Sequence, residues 1–176
     1  MCAQLRLRPL EVTDEPQARQ AHQELALDGF EFLPDLRQDE GWLEYLARLE
    51  RHRRGLDLPD RWVPATFLVA EAEGQVVGRV SIRHELNEFL MAVGGHVGYG
   101  VRPAFRRRGY ATQMLRQSLV IAGSIGIQDV LLTCDDDNVA SASTIQKCGG
   151  VLEEAAPRPG GTQGKRRYWI HTRTLR

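Results

Sequence analysis

Apolar and polar positions along this chain alternate between two periods, and the changes of period mark its elements. Between Gln4 and Leu10, Leu5 and Leu7 alternate with Arg6 and Arg8, which predicts a half-exposed strand that Pro9 ends. Ala18, Ala21 and Leu25 then recur at helical spacing. Thr13 or Asp14 can cap that helix, Glu15 and Pro16 suit its first turn, and Gly29 lies just past its end. After an apolar loop, Phe30-Glu31-Phe32-Leu33-Pro34, the positions Trp42, Tyr45, Leu46 and Leu49 predict a second amphipathic helix with Asp39 and Glu40 near its start. Its end carries Arg51-His52-Arg53-Arg54-Gly55, read as cations at a helix C-terminus.

Gly55 to Pro64 has the composition of a loop, and the period then shortens to two. Thr66 to Glu71 and Val76 to His84 read as strands of an antiparallel hairpin joined through Glu73-Gly74-Gln75. Leu86 to Ala92 fits either a short helical turn or a loop, and Gly94 to Val101 reads as the next strand. Ala111, Met114, Leu115, Ser118, Leu119, Ala122 and Ile125 trace one face of a helix of several turns, which Gly123 and Gly126 end. Val130-Leu131-Leu132-Thr133-Cys134 is a continuous apolar run, as expected of a strand buried on both faces. Strand, helix and buried strand together predict a right-handed βαβ unit with parallel strands. Asp135-Asp136-Asp137-Asn138 caps a short helix from about Val139 to Lys147. Val151 to Glu153 begins another strand, Pro157 to Gly164 reads as a mobile loop, and Arg166 to Arg173 pairs back as the last strand. No internal repeat or boundary interrupts this order, so one α/β domain of the α+β kind is expected over residues 1–176.

Bulk composition mainly removes alternatives. A hydrophobic fraction of 42%, 26% charged residues and a formal net charge of zero describe an ordinary soluble domain with no general attraction to nucleic acid or anionic membrane. Cys2, Cys134 and Cys148 are too scattered for a disulfide framework or a metal site, and Cys134 reads as a small buried hydrophobe. The aspartates at 135–137 lack the glycine and distal glutamate of a calcium loop, so no metal is expected. With no apolar stretch near the ~20 residues of a membrane span and no apolar leader, a cytoplasmic home is expected.

The chemistry concentrates at Val101 to Thr112, between a strand and the long helix. Unpaired N–H groups and the positive end of a helix dipole attract anions at such a junction. Gly109 lets backbone approach a ligand, small Ala111 keeps the first turn open, and Arg106, Arg107 and Arg108 add charge-assisted donors. In outline this is a pyrophosphate cradle.

The pattern Arg106-x-x-Gly109-x-Ala111 resembles the acetyl-CoA signature of the GNAT superfamily of N-acetyltransferases. Asn138-Val139-Ala140-Ser141, followed by Lys147-Cys148-Gly149-Gly150, resembles that family's later helix, and the likeness spans roughly Phe67 to Tyr168. More narrowly, Arg83-His84-x-Leu86-Asn87, Gly94-Gly95-His96 and Arg167-Tyr168-Trp169-Ile170 look like a bacterial subgroup. The resemblance implies a mixed sheet of six or seven strands with about four helices, in which two central parallel strands splay around acetyl-CoA. It implies that the backbone of Tyr99, Gly100 and Val101 holds the pantetheine arm and acetyl carbonyl. The N–H groups from Arg106 through Tyr110, Ala111 and Thr112 would take the pyrophosphate, with Asn138 and Ser141 beside the pantetheine. An amine would then attack the thioester directly, through a base usually relayed by water.

Where many family members carry a tyrosine as acid for the departing thiolate, this chain has Ile145. Tyr99, Tyr168 or a water could supply that proton, or the thiolate leaves unassisted. His96, on the same strand face as Gly98 and Gly100, is a candidate base with space beside it, and Glu85 and His84 compete for the role. The acceptor pocket implied by the resemblance includes Phe30, Glu31, Arg83, His84 and Asn87; Glu31 and Glu85 suit an amine and Arg83 suits a carboxylate.

The expected reading is an acetyl-CoA-dependent N-acetyltransferase acting on a small-molecule amine, amino-acid-like amines among the candidates, with neither nucleic acid nor membrane as partner and a homodimer left open. A non-catalytic acyl-CoA-binding sensor and an acetyltransferase acting on a protein amine are the alternatives. A P-loop and a nucleophile elbow are both absent from the sequence.

Overall fold

The computed structural model describes residues 5–153 and 164–172. Cys2, Gln4, the expected loop over 157–163 and Arg173 lie outside the described residues. Strands β1 (Arg6–Arg8), β2 (Ala65–Ala72), β3 (Gln75–Arg83) and β4 (Val97–Val101) form an antiparallel sheet in that order. Ala72 pairs with Gln75, so the β2–β3 turn is the two residues Glu73-Gly74, both at positive φ (53° and 75°), which matches the right-handed twist of the flanking strands.

Alternation along β3 sends successive side chains to opposite layers. Val80 and Ile82 pack with Leu68, Leu115 and Leu119 beneath α3 (Tyr110–Ser124) and α4 (Val139–Lys147). On the other face, Val69 meets Ala18, Leu25, Trp42 and Tyr45 of α1 (Glu15–Ala26) and α2 (Trp42–Arg53), joined by Phe32 from the connecting loop. That loop is pinned from beneath: Arg48 donates to both carboxylate oxygens of Glu40 at 2.7 and 2.6 Å and to Asp35 at 2.9 Å. The Arg48 and Glu40 side chains are 4% and 3% exposed.

The remaining strands, β5 (Asp129–Asp135), β6 (Val151–Leu152) and β7 (Lys165–His171), form a second antiparallel sheet in the order β5-β7-β6. Among the described residues, seven strands and four α-helices agree with the expected counts, but the sheet is divided: β4 and β5 share no ladder. Among the described residues their backbones hydrogen-bond only just before β4, where the His96 N–H donates to the Leu131 carbonyl at 2.7 Å. Gly95 makes the approach possible, since a Cβ there would lie 2.5 Å from that carbonyl oxygen. Beyond this stitch the strands part.

Two local expectations change. The strand expected from Gly94 begins at Val97, because Leu90–Gly94 forms a π-helical turn closed by Gly95 N–H to Leu90 O. Asp14 does not cap α1 with its side chain. A short 3-10 turn, Val12–Asp14, precedes the helix, and the Asp14 carboxylate instead accepts from Arg8 at 2.6 and 2.8 Å and from the Glu11 N–H. Asn138 does cap α4, its Oδ1 accepting from the Ser141 N–H at 3.0 Å.

Candidate functional site

Beyond β4 the chain makes a 3-10 turn at Pro103–Phe105 and enters α3 through Gly109, which sits at φ 78° as the cap residue without a capping side chain. The first helical bond runs from Gln113 N–H to Gly109 O, and Arg106 N–H closes the preceding turn onto Pro103 O. Among the described residues, the N–H groups of Arg107, Arg108, Gly109, Tyr110, Ala111 and Thr112 therefore have no protein acceptor. A run of unpaired donors at a helix N-terminus is suited to a multiply charged phosphate.

The three arginines divide their work. Arg106 turns back, donating to Val101 O at 3.1 Å and to Asp28 at 2.5 Å, so it ties the loop to the end of α1. Arg107 and Arg108 are exposed, and no carboxylate among the described residues pairs with either. Just upstream, Arg102 is anchored bidentately to Glu24, both bonds at 2.8 Å.

The gap between β4 and β5 follows from strand register. Gly98 and Gly100 sit opposite Ser81 and Arg79, while Arg83 N–H bonds His96 O and Arg102 N–H bonds Val77 O. By antiparallel alternation, the N–H and C=O groups of Gly98 and Gly100 face β3, and those of Val97, Tyr99 and Val101 face the gap. Of the three backbone positions expected to meet pantetheine, Gly100 thus spends its groups inside the sheet. The Tyr99 side chain lies on the α3–α4 face, its hydroxyl 3.0 Å from Ser141 Oγ. Burial pushes its pKa up to about 12, so the phenol stays protonated at neutral pH. Ile145 is fully buried.

His96 has a different role from the one its position suggested. Its Nδ1 accepts from the Leu131 N–H at 2.9 Å, completing the stitch between the sheets. Burial first, then the Arg83 charge, holds its pKa below the ordinary histidine value. A neutral ring accepting at Nδ1 carries its proton on Nε2, so protonation must break the stitch. The expected space beside it is also filled: the absent Gly100 side chain is replaced by the Phe30 ring, 2.5 Å from where a Cβ would stand, and that of Gly98 by the Arg83 guanidinium. His96→Ala should lower Tm, while His96→Asn, which keeps an acceptor, should restore much of it. Because the folded pKa is depressed, the bond's contribution is present above the ordinary pKa of about 6.5 and is lost as pH falls through the folded value. Thermal melts from pH 8 to pH 5 check this, and an unchanged pH dependence in His96→Ala would remove the bridging role.

Tyr168, the other aromatic candidate, is 1% exposed inside the core cluster. Glu85 is exposed just beyond β3. His84 Nε2 lies 2.8 Å from Thr66 Oγ1, and Asn87 donates to Arg61 O and accepts from the Leu90 N–H, capping the π-helical turn. His84, Asn87 and Phe30 are therefore engaged in holding the frame. Cys134 and Cys148 are buried, with thiol pKa values pushed up by burial, which suits neither as a nucleophile.

On the α1–α2 face a cavity of about 450 Å³ opens between β2–β3, the loop containing Glu31 and the segment Asp60–Val63. Glu31 and Arg83, both expected here, line it. The residues the sequence reading missed are Arg79, Ser81, His52, Phe67 and Trp62. The signal for two of them was present: Arg79-x-Ser81-x-Arg83 is a polar row at period two inside an otherwise apolar strand.

Comparison with known proteins agrees with this geometry. The family model described as an acetyltransferase (GNAT) domain matches residues 4–151. No curated protein matches by sequence. Among solved structures, spermidine N-acetyltransferase from Vibrio cholerae in complex with CoA and spermine superposes with a TM-score of 0.65 at 17% identity, covering 98% of each chain. A putative acetyltransferase from Salmonella typhimurium with its cofactor acetyl-CoA gives 0.61 at 18% identity, over 96% of this chain and 94% of that one. A ribosomal L7/L12 alpha-N-protein acetyltransferase in complex with coenzyme A gives 0.64 at 18%, over 95% and 93%.

Proposed function

Because this chain belongs to the GNAT acetyltransferase family, we propose that it moves the acetyl group of acetyl-CoA to a primary amine of a small molecule by direct attack in a ternary complex. The observation that carries the reading is the row of unpaired N–H groups from Arg107 to Thr112 beside the open edge of β4. In this reading the row takes the pyrophosphate, with Arg107 and Arg108 adding charge. The outward N–H and C=O groups of Tyr99 and Val101 hold the pantetheine and polarise the acetyl carbonyl, where a fixed donor favours the developing oxyanion. The Tyr99 hydroxyl, beside Ser141, donates to the departing sulfur. A thiolate whose thiol has a pKa of roughly 8–9 needs little more help. The amine enters from the cavity on the opposite face of the sheet and loses its proton through water.

Purified protein is expected to release CoA thiol from acetyl-CoA only when an amine is present, with an equal amount of product heavier by one acetyl group. Binding of CoA without thiol release across amines of every class would favour the acyl-CoA sensor. Acetylation confined to peptide N-termini or lysines would favour a protein acceptor, the activity named for one of the structural neighbours.

A further inference from the structure

Resting on that reading, we propose that the acceptor carries an oxoanion, a carboxylate or phosphate, seated on Arg79 and Arg83, and that polyamines are not its substrates. The two arginines project from β3 on the cavity side and meet over Gly98: a Cβ there would lie 3.6 Å from Arg83 Nη2 and 4.0 Å from Arg79 Nη1. Arg79 is only 8% exposed, and its Nε has no hydrogen-bond partner. Among the described residues its one bond goes to the Glu31 backbone carbonyl at 2.6 Å, and its guanidinium stacks 4.4 Å from the centre of the Phe30 ring. Among the described residues, Arg83 donates only to the carbonyls of Gly94 and Gly95, at 3.2 and 2.9 Å.

Neither guanidinium has a carboxylate partner among the described residues, unlike Arg8, Arg48, Arg102 and Arg167, which are held by Asp14, Glu40, Glu24 and Glu153. Two like charges side by side, Arg79 buried and Arg83 half-buried, are unfavourable without a counter-ion. Burial and the Arg83 charge lower the Arg79 pKa to about 10, a measure of that frustration. The acidic residues of the cavity wall relieve it only in part: the Glu31 charge favours the Arg79 cation without pairing with it. The Glu31 carboxylate is held by the Asp35 N–H, and the Asp60 side chain is 97% exposed beside Arg61. An oxoanion bound across Arg79 and Arg83 would supply the missing charge bidentately.

Position adds to the argument. Arg79 pairs with Gly100, next to Tyr99 and Val101, so an anion there lies within a few bonds of an amine at the acyl group. Phe67, Trp62, Phe89, Leu90 and Leu49 supply an apolar wall for the rest of the molecule. A polyamine would instead bring cations against two unpaired guanidiniums.

The test begins with saturating CoA, so that the cradle at 106–112 is filled; its affinity, measured separately, reports on the underlying reading alone. At matched ionic strength, phosphate or acetate at ten times its Kd should then raise Tm by about 3–6 °C over chloride. Arg79→Met and Arg83→Gln should each lose that rise while keeping CoA affinity. Arg79→Met, having shed an uncompensated charge, should melt no lower than wild type in chloride. With an acetylated product as readout, amines bearing a carboxylate or a phosphate should exceed their decarboxylated or dephosphorylated counterparts by at least tenfold in kcat/KM, and which of the two does so identifies the anion. An absent Tm rise, an equal rise in both variants, or spermidine as the preferred acceptor would each overturn the proposal.

Discussion

Gly109→Val is expected to reduce coenzyme A affinity by about 100-fold or more while the protein remains folded. Gly109 holds φ at 78°, where a β-branched side chain is sterically disfavoured by about 1–2 kcal/mol. No protein atom lies within 4 Å of the position a Cβ would take, so packing is not what valine disrupts. The loss arises because the backbone rotates away from the conformation that aligns neighbouring N–H groups, and because the added methyl groups occupy the space where phosphate oxygens approach. Forfeiting even two charge-assisted bonds of about 1.5 kcal/mol each gives the stated factor. Calorimetry with CoA, beside a thermal melt to show that the fold persists, measures both halves. Arg106→Ala, whose side chain serves Asp28 and Val101, should weaken binding much less.

The largest stability effect is expected at the Arg48–Glu40 pair beneath the loop that connects α1 and α2. Glu40→Ala leaves a buried guanidinium with only Asp35, and the cost should be about 3 kcal/mol, near the low end for a broken buried pair. For a chain of this size that is a fall in Tm of about 6–12 °C. The double variant Glu40→Ala with Arg48→Met should recover most of it, because removing both charges removes the desolvation cost as well. Hydrogen bonding to Arg48 holds the Glu40 pKa below the ordinary value of 4.5. The pair's contribution is therefore complete above about pH 4.5 and is lost as pH falls through the folded pKa. The gap in Tm between wild type and Glu40→Ala should accordingly narrow in acid. A gap independent of pH would show that Arg48 is held by other means.

Strongly periodic segments were legible in the sequence. The face from Ala111 to Ala122 marked α3, and the alternating runs on either side of Glu73-Gly74 marked the β2–β3 hairpin. The strand-to-helix junction at Gly109 was legible because it is local: a glycine, a strand end and a helix start within a dozen residues. What remained hidden depends on partners far away in the chain. His96 looks like a base until Leu131 is placed against it, and Phe30 fills a space that glycine alternation seemed to leave open. The parting of β4 and β5 leaves no local trace either, since both strands carry ordinary strand patterns. Arg79 was visible as a charge within an apolar strand, yet its lack of a counter-ion became apparent only when its surroundings were assembled.

The order β5-β7-β6 has a consequence for how the chain is made. β7 is synthesised after both β5 and β6, yet it is the middle strand of their sheet and the ladder partner of each. The β1–β4 sheet can close with its two helices while the rest is still being translated. The apolar run Val130–Leu132 cannot, because its ladder partners are Trp169 to Ile170 and Tyr168, which emerge later. Until then β5 presents an unpaired apolar edge, the kind of surface on which nascent chains associate or recruit chaperones. A ribosome stalled before Lys165 should hold an N-terminal sheet that resists protease and a β5 segment that does not.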